Sequence, residues 1–404
     1  MKYKTTKIED ICLKVTSGGT PKSTNEAFYN PKEVPWLKTA EVNYCRIYDT
    51  ETYISKEGLN RSSAKLIPEN SVIIAMYGQG DTAGRVAINK VPLCTNQACC
   101  NLIINHDIAD YEYVYYTLST LYNKLVSLKN GGAQPNLNAG IIKNVEIPFP
   151  DIEIQHRIAD ILSSYDDLIE NNRKQIKLLE EAAQRLYKEW FVDLRFPGHE
   201  ETPIVDGVPA GWERKRADTF FEITIGKTPP RAEKQWFTSG DKGVPWLSIS
   251  DMGNAGVYAF YTSEGLTEEA VKKHNMKIVP IGTIFVSFKL TVGRVAIANT
   301  DMCTNEAIAH FYIKDDIYRP YTYCYLRNFE YDTLGNTSSI SKAVNSKIIK
   351  SMPFVMPDKD IISSFSKVVS SILDGINNKQ KACLRLIESR DRLLPKLMSG
   401  EIEV

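Results

Sequence analysis

The chain is written twice, and this repeat restricts its fold more than any other feature of the sequence. Four separated segments recur in the same order about half a chain apart. Val34-Pro-Trp-Leu-Lys-Thr-Ala-Glu-Val42 answers to Val244-Pro-Trp-Leu-Ser-Ile-Ser-Asp-Met252, with the Pro-Trp-Leu core unchanged. Gly84-Arg-Val-Ala-Ile88 answers to Gly293-Arg-Val-Ala-Ile297, and each is followed by Cys-Thr-Asn-(Gln/Glu)-Ala, at Cys94 and Cys303. Ile141-Ile-Lys143 running to Pro150-Asp151 matches Ile348-Ile-Lys350 running to Pro357-Asp358, and each tail then enters a long helical pattern. With 404 residues, two cores of ordinary size are expected rather than one.

Within each copy, apolar runs alternate with Gly, Pro and Asn punctuation. Ser71 to Met76, Arg85 to Asn89 and Asn101 to Asn105 read as strands, bounded as strands are. Tyr111 to Leu128 and Tyr318 to Phe329 read as short helices. The tails show the alternating three- and four-residue steps of a coiled coil. One seam is Leu162, Tyr165, Ile169, Asn172, Ile176, Leu179, Ala183, Leu186 and Trp190. The other is Val369, Ile372, Ile376, Lys379, Cys383, Leu386, Arg390, Leu393 and Leu397. The expected fold is α+β: two repeated mixed α/β globular domains (1–151 and 197–358), each followed by a long α-helix (152–196 and 359–404). The two helices are expected to pair as an antiparallel coiled coil. Asn172 and Lys379 share one repeat position, where a polar residue fixes register. The first helix is expected to run about thirty residues, about 45 Å, and to stop at Phe196-Pro-Gly198. Pro395 is expected to kink or end the second.

Composition narrows the function. Acidic and basic side chains number 49 each, so bulk charge alone does not hold this chain on a polyanion. The apolar runs are too short to span a bilayer, and Met1 to Asp10 lacks an apolar signal core, so the expected location is the cytoplasm. Cys94, Cys99 and Cys100 lack the paired spacing of a zinc site and read as buried thiols. No Walker A segment, HExxH, Gly-x-Ser-x-Gly or Asn/Asp-Pro-Pro-aromatic segment is present, and these carry the common enzymatic chemistries. Gly78-Gln-Gly80-Asp-Thr-Ala-Gly84 has the wrong spacing for a dinucleotide fingerprint. No metal, cofactor or catalytic residue is expected in this chain.

What differs between the copies is more informative. Beside the shared scaffold segments, Lys38-Thr-Ala-Glu41 becomes Ser248-Ile-Ser-Asp251, and Tyr77-Gly-Gln-Gly-Asp81 becomes Phe288-Lys-Leu-Thr291. Likewise, Asn130 to Asn136 becomes Asn336-Thr-Ser-Ser-Ile-Ser-Lys342. Base edges are read by such donors and acceptors, so one frame with two sets of polar loops suits two readers of two sequences. Solvated turns without a partner remain the alternative for any single residue. The candidate DNA-facing residues of the first copy are Lys22, Lys38, Tyr77, Gln79, Asp81, Arg85, Gln134, Asn136 and Asn138. Those of the second are Lys227, Arg231, Ser248, Ser250, Lys289, Thr291, Arg294, Asn336, Ser338, Ser339 and Lys342. Arg85 and Arg294, shared by both copies, either grip phosphate or pair with a carboxylate inside the scaffold, and the second reading is favoured. Trp36 and Trp246 are expected in the core.

Across essentially the whole chain these motifs resemble the specificity subunits of Type I restriction-modification enzymes. The resemblance is carried by Gly18-Gly-Thr-Pro21 and Gly226-Lys-Thr-Pro229 near each start, Val-Pro-Trp-Leu, Gly-Arg-Val-Ala-Ile, then Pro-x-Pro and helix. Gln155-His-Arg-Ile-Ala159 and Val208-Pro-Ala-Gly-Trp212 add the entrances to the first helix and second domain. The resemblance implies two target-recognition domains, each reading one half of a bipartite, asymmetric target in double-stranded DNA, with the paired helices setting the unread spacer. It also implies two methylation subunits that use S-adenosylmethionine and a restriction subunit that uses ATP and Mg, those cofactors belonging to the partners. The second copy departs at its helix entrance, Asp360-Ile-Ile-Ser-Ser-Phe365, which bears on whether both methylation subunits dock alike. A repeat adaptor that binds proteins through its coiled coil, without DNA sequence specificity, is the alternative function.

Overall fold

The computed structural model describes residues 3–130, 135–289, 291–334 and 344–404. Gln134, Asn336, Ser338, Ser339 and Lys342 lie outside the described residues. The chain divides into two compact units, Met1–Ile169 with Leu384–Val404, and Glu170–Cys383.

In the first unit, the apolar runs become strands because they are buried on both faces, where continuous rather than alternating hydrophobicity is expected. All four residues of Val72–Ala75 and of Val86–Asn89 are buried. They form the middle of a five-stranded sheet in the order Cys12–Ser17, Cys99–Ile104, Val72–Ala75, Val86–Asn89, Cys45–Ile47. A four-stranded sheet follows the order Tyr53–Ile54, Val34–Leu37, Leu93–Thr95, Leu66–Ile67, with Val34–Leu37 parallel to Leu93–Thr95. The Tyr111–Thr120 helix packs its buried Tyr113, Val114 and Leu118 on the larger sheet.

The second unit repeats the order of the larger sheet strand for strand; in the smaller sheet it adds the edge strand Phe237–Ser239 and, among the described residues, has no strand answering to Leu66–Ile67. Its larger sheet runs Glu222–Ile225, Ile308–Tyr312, Ile284–Ser287, Val295–Ala298, Tyr258–Ala259. Its smaller sheet runs Phe237–Ser239, Glu264–Leu266, Val244–Leu247, Cys303–Thr304. Register repeats as well: Val86 lies opposite Ile74, and the equivalent Val295 opposite Val286. Trp36 and Trp246 are buried, as expected, at 6% and 1% exposure.

Both units draw on both long helices. In the first unit, Leu162 of the first long helix (Ile152–Tyr187) shares a core with Leu393 and Leu397 of the second (Lys359–Ser399). There Asp166 is ion-paired with Arg390. In the second unit, Ile176, Leu179 and Leu186 pack with Val369, Ile372 and Ile376, and Trp190 lies 5.9 Å from Phe365. Numbers rising on one helix meet numbers falling on the other in each unit, which is antiparallel pairing. The structure lengthens the first helix to 36 residues, about 54 Å, and ends it ahead of Phe196-Pro-Gly198, in a π turn over Lys188–Val192. Of the two outcomes expected at Pro395, the structure does not show an end there, since the helix continues to Ser399. A proline in the last turns forfeits a single ladder bond, and burial of Leu397 and Met398 beyond it outweighs that loss, at roughly 1.5–3 kcal/mol for each buried side chain.

Asn172 and Lys379 are both half-buried. Counting from Leu179 beside Gly375, antiparallel pairing puts Asn172 level with Ala382, just under one turn from Lys379, so the two polar seam residues are not directly opposite each other. Asn172→Leu is expected to raise the melting temperature by a few degrees, since about 1 kcal/mol shifts a unit of this size by ~2–4 °C. A fall of that size with unchanged circular dichroism would show that Asn172 contributes stability rather than register.

Candidate nucleic-acid interface

Each unit builds the same platform from its repeated motifs. A Cβ on Gly18 would fall 2.2 Å from the Thr95 hydroxyl oxygen, and one on Gly226 would fall 2.1 Å from that of Thr304. Only glycine lets this loop approach the Cys-Thr-Asn segment so closely. The Trp36 indole donates to the Gly19 carbonyl at 3.0 Å, and Trp246 donates to that of Lys227 at 3.1 Å. The Gly-x-Thr-Pro loop is thereby pinned from both sides. At its surface the Thr20 hydroxyl donates to the side-chain oxygen of Gln97, and the Thr228 hydroxyl donates to the carboxylate of Glu306. Beneath the platform, Asn101 of the first unit donates to Thr95 at 2.8 Å. In the same place in the second unit, His310 lies between Thr304 and Thr224, at 2.7 and 2.9 Å.

On the first platform opens a cavity of about 510 Å³, lined by Thr20, Trp36, Lys38, Thr39, Ala40, Gly78, Gln79, Thr82, Asn96 and Gln97. Lys38 and Gln79, nominated from the sequence, converge here with hydrogen-bonding side chains that were not. Such a concave set of amides, hydroxyls and one ammonium over a tryptophan can present several donors and acceptors to a ligand edge.

Other nominated residues are drawn into the scaffold. Arg85 pairs with Asp81 and donates to Asn43 at 3.0 Å, which lowers the Asp81 carboxyl below its usual range through the guanidinium contact. Arg294 differs from the carboxylate pairing expected of it: its guanidinium donates to the Ile249 carbonyl at 2.6 Å. Ile249 opens a short helix, Ile249–Asn254, whose cap Ser248 forms a capping box with Asp251. Arg231 makes two 2.8 Å hydrogen bonds to Glu264 and stacks over Phe237 and Trp246. Lys227 donates to the His274 carbonyl at 2.6 Å. Asn138 caps the short Ala139–Lys143 helix, and Asn136 pairs with Asn130 through the backbone. Tyr77 packs against the first core, where burial pushes its phenol up. Lys22, Ser250, Lys289 and Thr291 are exposed.

Gln97, Thr20, Glu306 and Thr228 fall inside repeated motifs and were not nominated from the sequence. The available signal was the single change from Gln to Glu within otherwise matching Cys-Thr-Asn-x-Ala segments.

Residues 1–181 and 209–384 each match the family profile described as Type I restriction modification DNA specificity domain. The chain is 30% identical to the Type I restriction enzyme MjaIX specificity subunit of Methanocaldococcus jannaschii, over 98% of this chain and 93% of that one. It is 27% identical to the HindI specificity subunit of Haemophilus influenzae, over 74% and 79% of the respective lengths. The crystal structure of a Type I system S subunit from M. genitalium has the same fold, with a TM-score of 0.62, 16% identity, and coverage of 98% of this chain and 96% of that one. Among the described residues no helix is long and apolar enough to cross a membrane. Two matched domains and a near full-length relative give one conclusion: the chain belongs to the Type I restriction-modification DNA specificity family, whose domains recognise DNA rather than catalyse a reaction.

Proposed function

We propose that this chain is the non-catalytic specificity subunit of a Type I restriction-modification complex, working in the cytoplasm. Each globular domain reads one half of a bipartite, asymmetric site in double-stranded DNA, and the long helices set the unread spacer. The chain docks two methylation subunits, which carry S-adenosylmethionine, and a restriction subunit, which carries ATP and Mg. The observation that supports this best is one platform built twice from the same motifs with different polar groups on it: Lys38, Gln79 and Gln97 line the cavity on the first, and Glu306 takes the place of Gln97 on the second. Two half-sites of different sequence call for that arrangement.

The test is single-molecule methylation mapping in cells expressing this chain with its methylation subunit, against cells expressing either alone. A bipartite adenine-methylated motif confined to the co-expressing cells is expected. Replacing residues 1–150 with the first domain of a relative should then rewrite one half of the motif and leave the other. Changes in both halves would refute modular reading, and a stable complex with no motif would favour a protein adaptor.

A further inference from the structure

We infer that Gln97 and Glu306 are equivalent specificity-determining residues, each contacting one base of its own half-site, with Thr20 and Thr228 as their positioning residues. The inference rests on the reading that each domain reads DNA. It goes further by naming a pair of residues and the base chemistry each takes.

Four observations converge. Both residues are exposed at the same place on the two platforms, on segments whose neighbouring Thr and Ala residues are buried. Backbone placement is therefore the same, and what differs is the chemistry at the tip. Each side chain is oriented by a threonine hydroxyl from the Gly-x-Thr-Pro loop. That loop is held close, because a Cβ added at Gly18 or Gly226 would fall about 2 Å from the Thr95 or Thr304 hydroxyl oxygen, and the tryptophans hold the next carbonyl. A reader held in one rotamer before DNA arrives loses less conformational freedom on binding. Third, Gln97 shares its cavity with Lys38 and Gln79, so an edge presented there meets several groups at once. Fourth, Glu306 is a carboxylate. On a surface facing phosphates it is repelled, so its presence there calls for a compensating donor, and among base edges the amino groups supply one.

The two chemistries lead to two bases. With Thr20 donating to its oxygen, Gln97 keeps both amide hydrogens and one further lone pair, the set that pairs bidentately with adenine N6 and N7. With Thr228 donating to one carboxylate oxygen, Glu306 keeps the other as a pure acceptor, the partner of the cytosine N4 amino group.

The experiment uses this chain in complex with its methylation subunit and a panel of duplexes in which each base pair of the mapped motif is replaced in turn. Gln97→Glu and Glu306→Gln nearly preserve shape and sit on the surface, and melting temperature is followed alongside. Gln97→Glu is expected to lower affinity for the original base at one position of one half-site by roughly 10- to 100-fold and to shift the preference from adenine towards cytosine. The profile of the other half-site should not move. Glu306→Gln should do the reverse in the other half. Unchanged profiles, or an equal loss on every duplex, would overturn the inference. A wild-type complex with no sequence preference would instead sink the underlying DNA-reading function.

Discussion

Asp166→Ala is expected to destabilise the first unit by about 3–5 kcal/mol, the cost of stranding one member of a buried pair. Asp166 accepts from the Tyr116 hydroxyl at 2.6 Å and from the Arg390 guanidinium, and the two charged side chains are only 12% and 22% exposed. Without the carboxylate, a half-buried guanidinium and a buried phenol lose their shared acceptor, and among the described residues Asp391 remains as the arginine's ion-pair partner. The effect should appear as faster hydrogen exchange in Val72–Ala75 and Cys99–Ile104. Replacing both partners, as Asp166→Leu with Arg390→Leu, should recover most of the loss, because no charge is then left buried and alone. A single-mutant effect under 1 kcal/mol would show that water already reaches the pair.

The second large effect is on the acid side of the pH range. Burial, together with the charge of Lys277, pushes the His310 imidazole down to about 3 from its usual 6.5. The ring is fully buried against Phe285 and between two threonine hydroxyls. Below pH 6.5 the unfolded chain takes up a proton that the folded chain refuses. Folding stability in the second unit therefore falls as pH drops from 6.5 towards 3, by about 1.4 kcal/mol per pH unit, and His310 has no effect above that window. Between pH 7 and pH 5 the loss attributable to this group is about 2 kcal/mol. The first unit supplies the control, since Asn101 fills the same place without titrating. His310→Asn should abolish most of the acid-side loss, while an identical pH profile for the variant would place the sensitivity elsewhere.

The repeat made the number of folded units legible, and continuous apolar runs such as Val72 to Ala75 made their central strands legible. The order of strands was not, because the parallel pairing of Val34–Leu37 with Leu93–Thr95 joins segments far apart in sequence, and periodicity carries no information about such partners. At Pro395 the local pattern offered an end as readily as a kink, because the burial of Leu397 and Met398 that carries the helix onward is not visible in it. At the interface, polarity found Lys38 and Gln79 but also selected Ser248, Asn138 and Arg231, which cap helices or close an ion pair. The same side chains that read bases satisfy loose backbone ends, and composition cannot separate these uses. Gln97 and Glu306 escaped because the Cys-Thr-Asn-x-Ala segment served as a mark of the repeat, although one residue changes within it.

The division of each long helix between two units has a consequence for synthesis. The ribosome releases residues up to Ile169, then the whole of the second unit, and only afterwards the Leu384–Val404 segment that closes the first. The nascent first unit must wait with an open seam, whereas the second has every segment it needs once Cys383 has emerged. A premature stop after Cys383 would spare the nearer unit and deprive the earlier one of Arg390, Leu397 and Met398, so a late truncation injures the beginning of the protein.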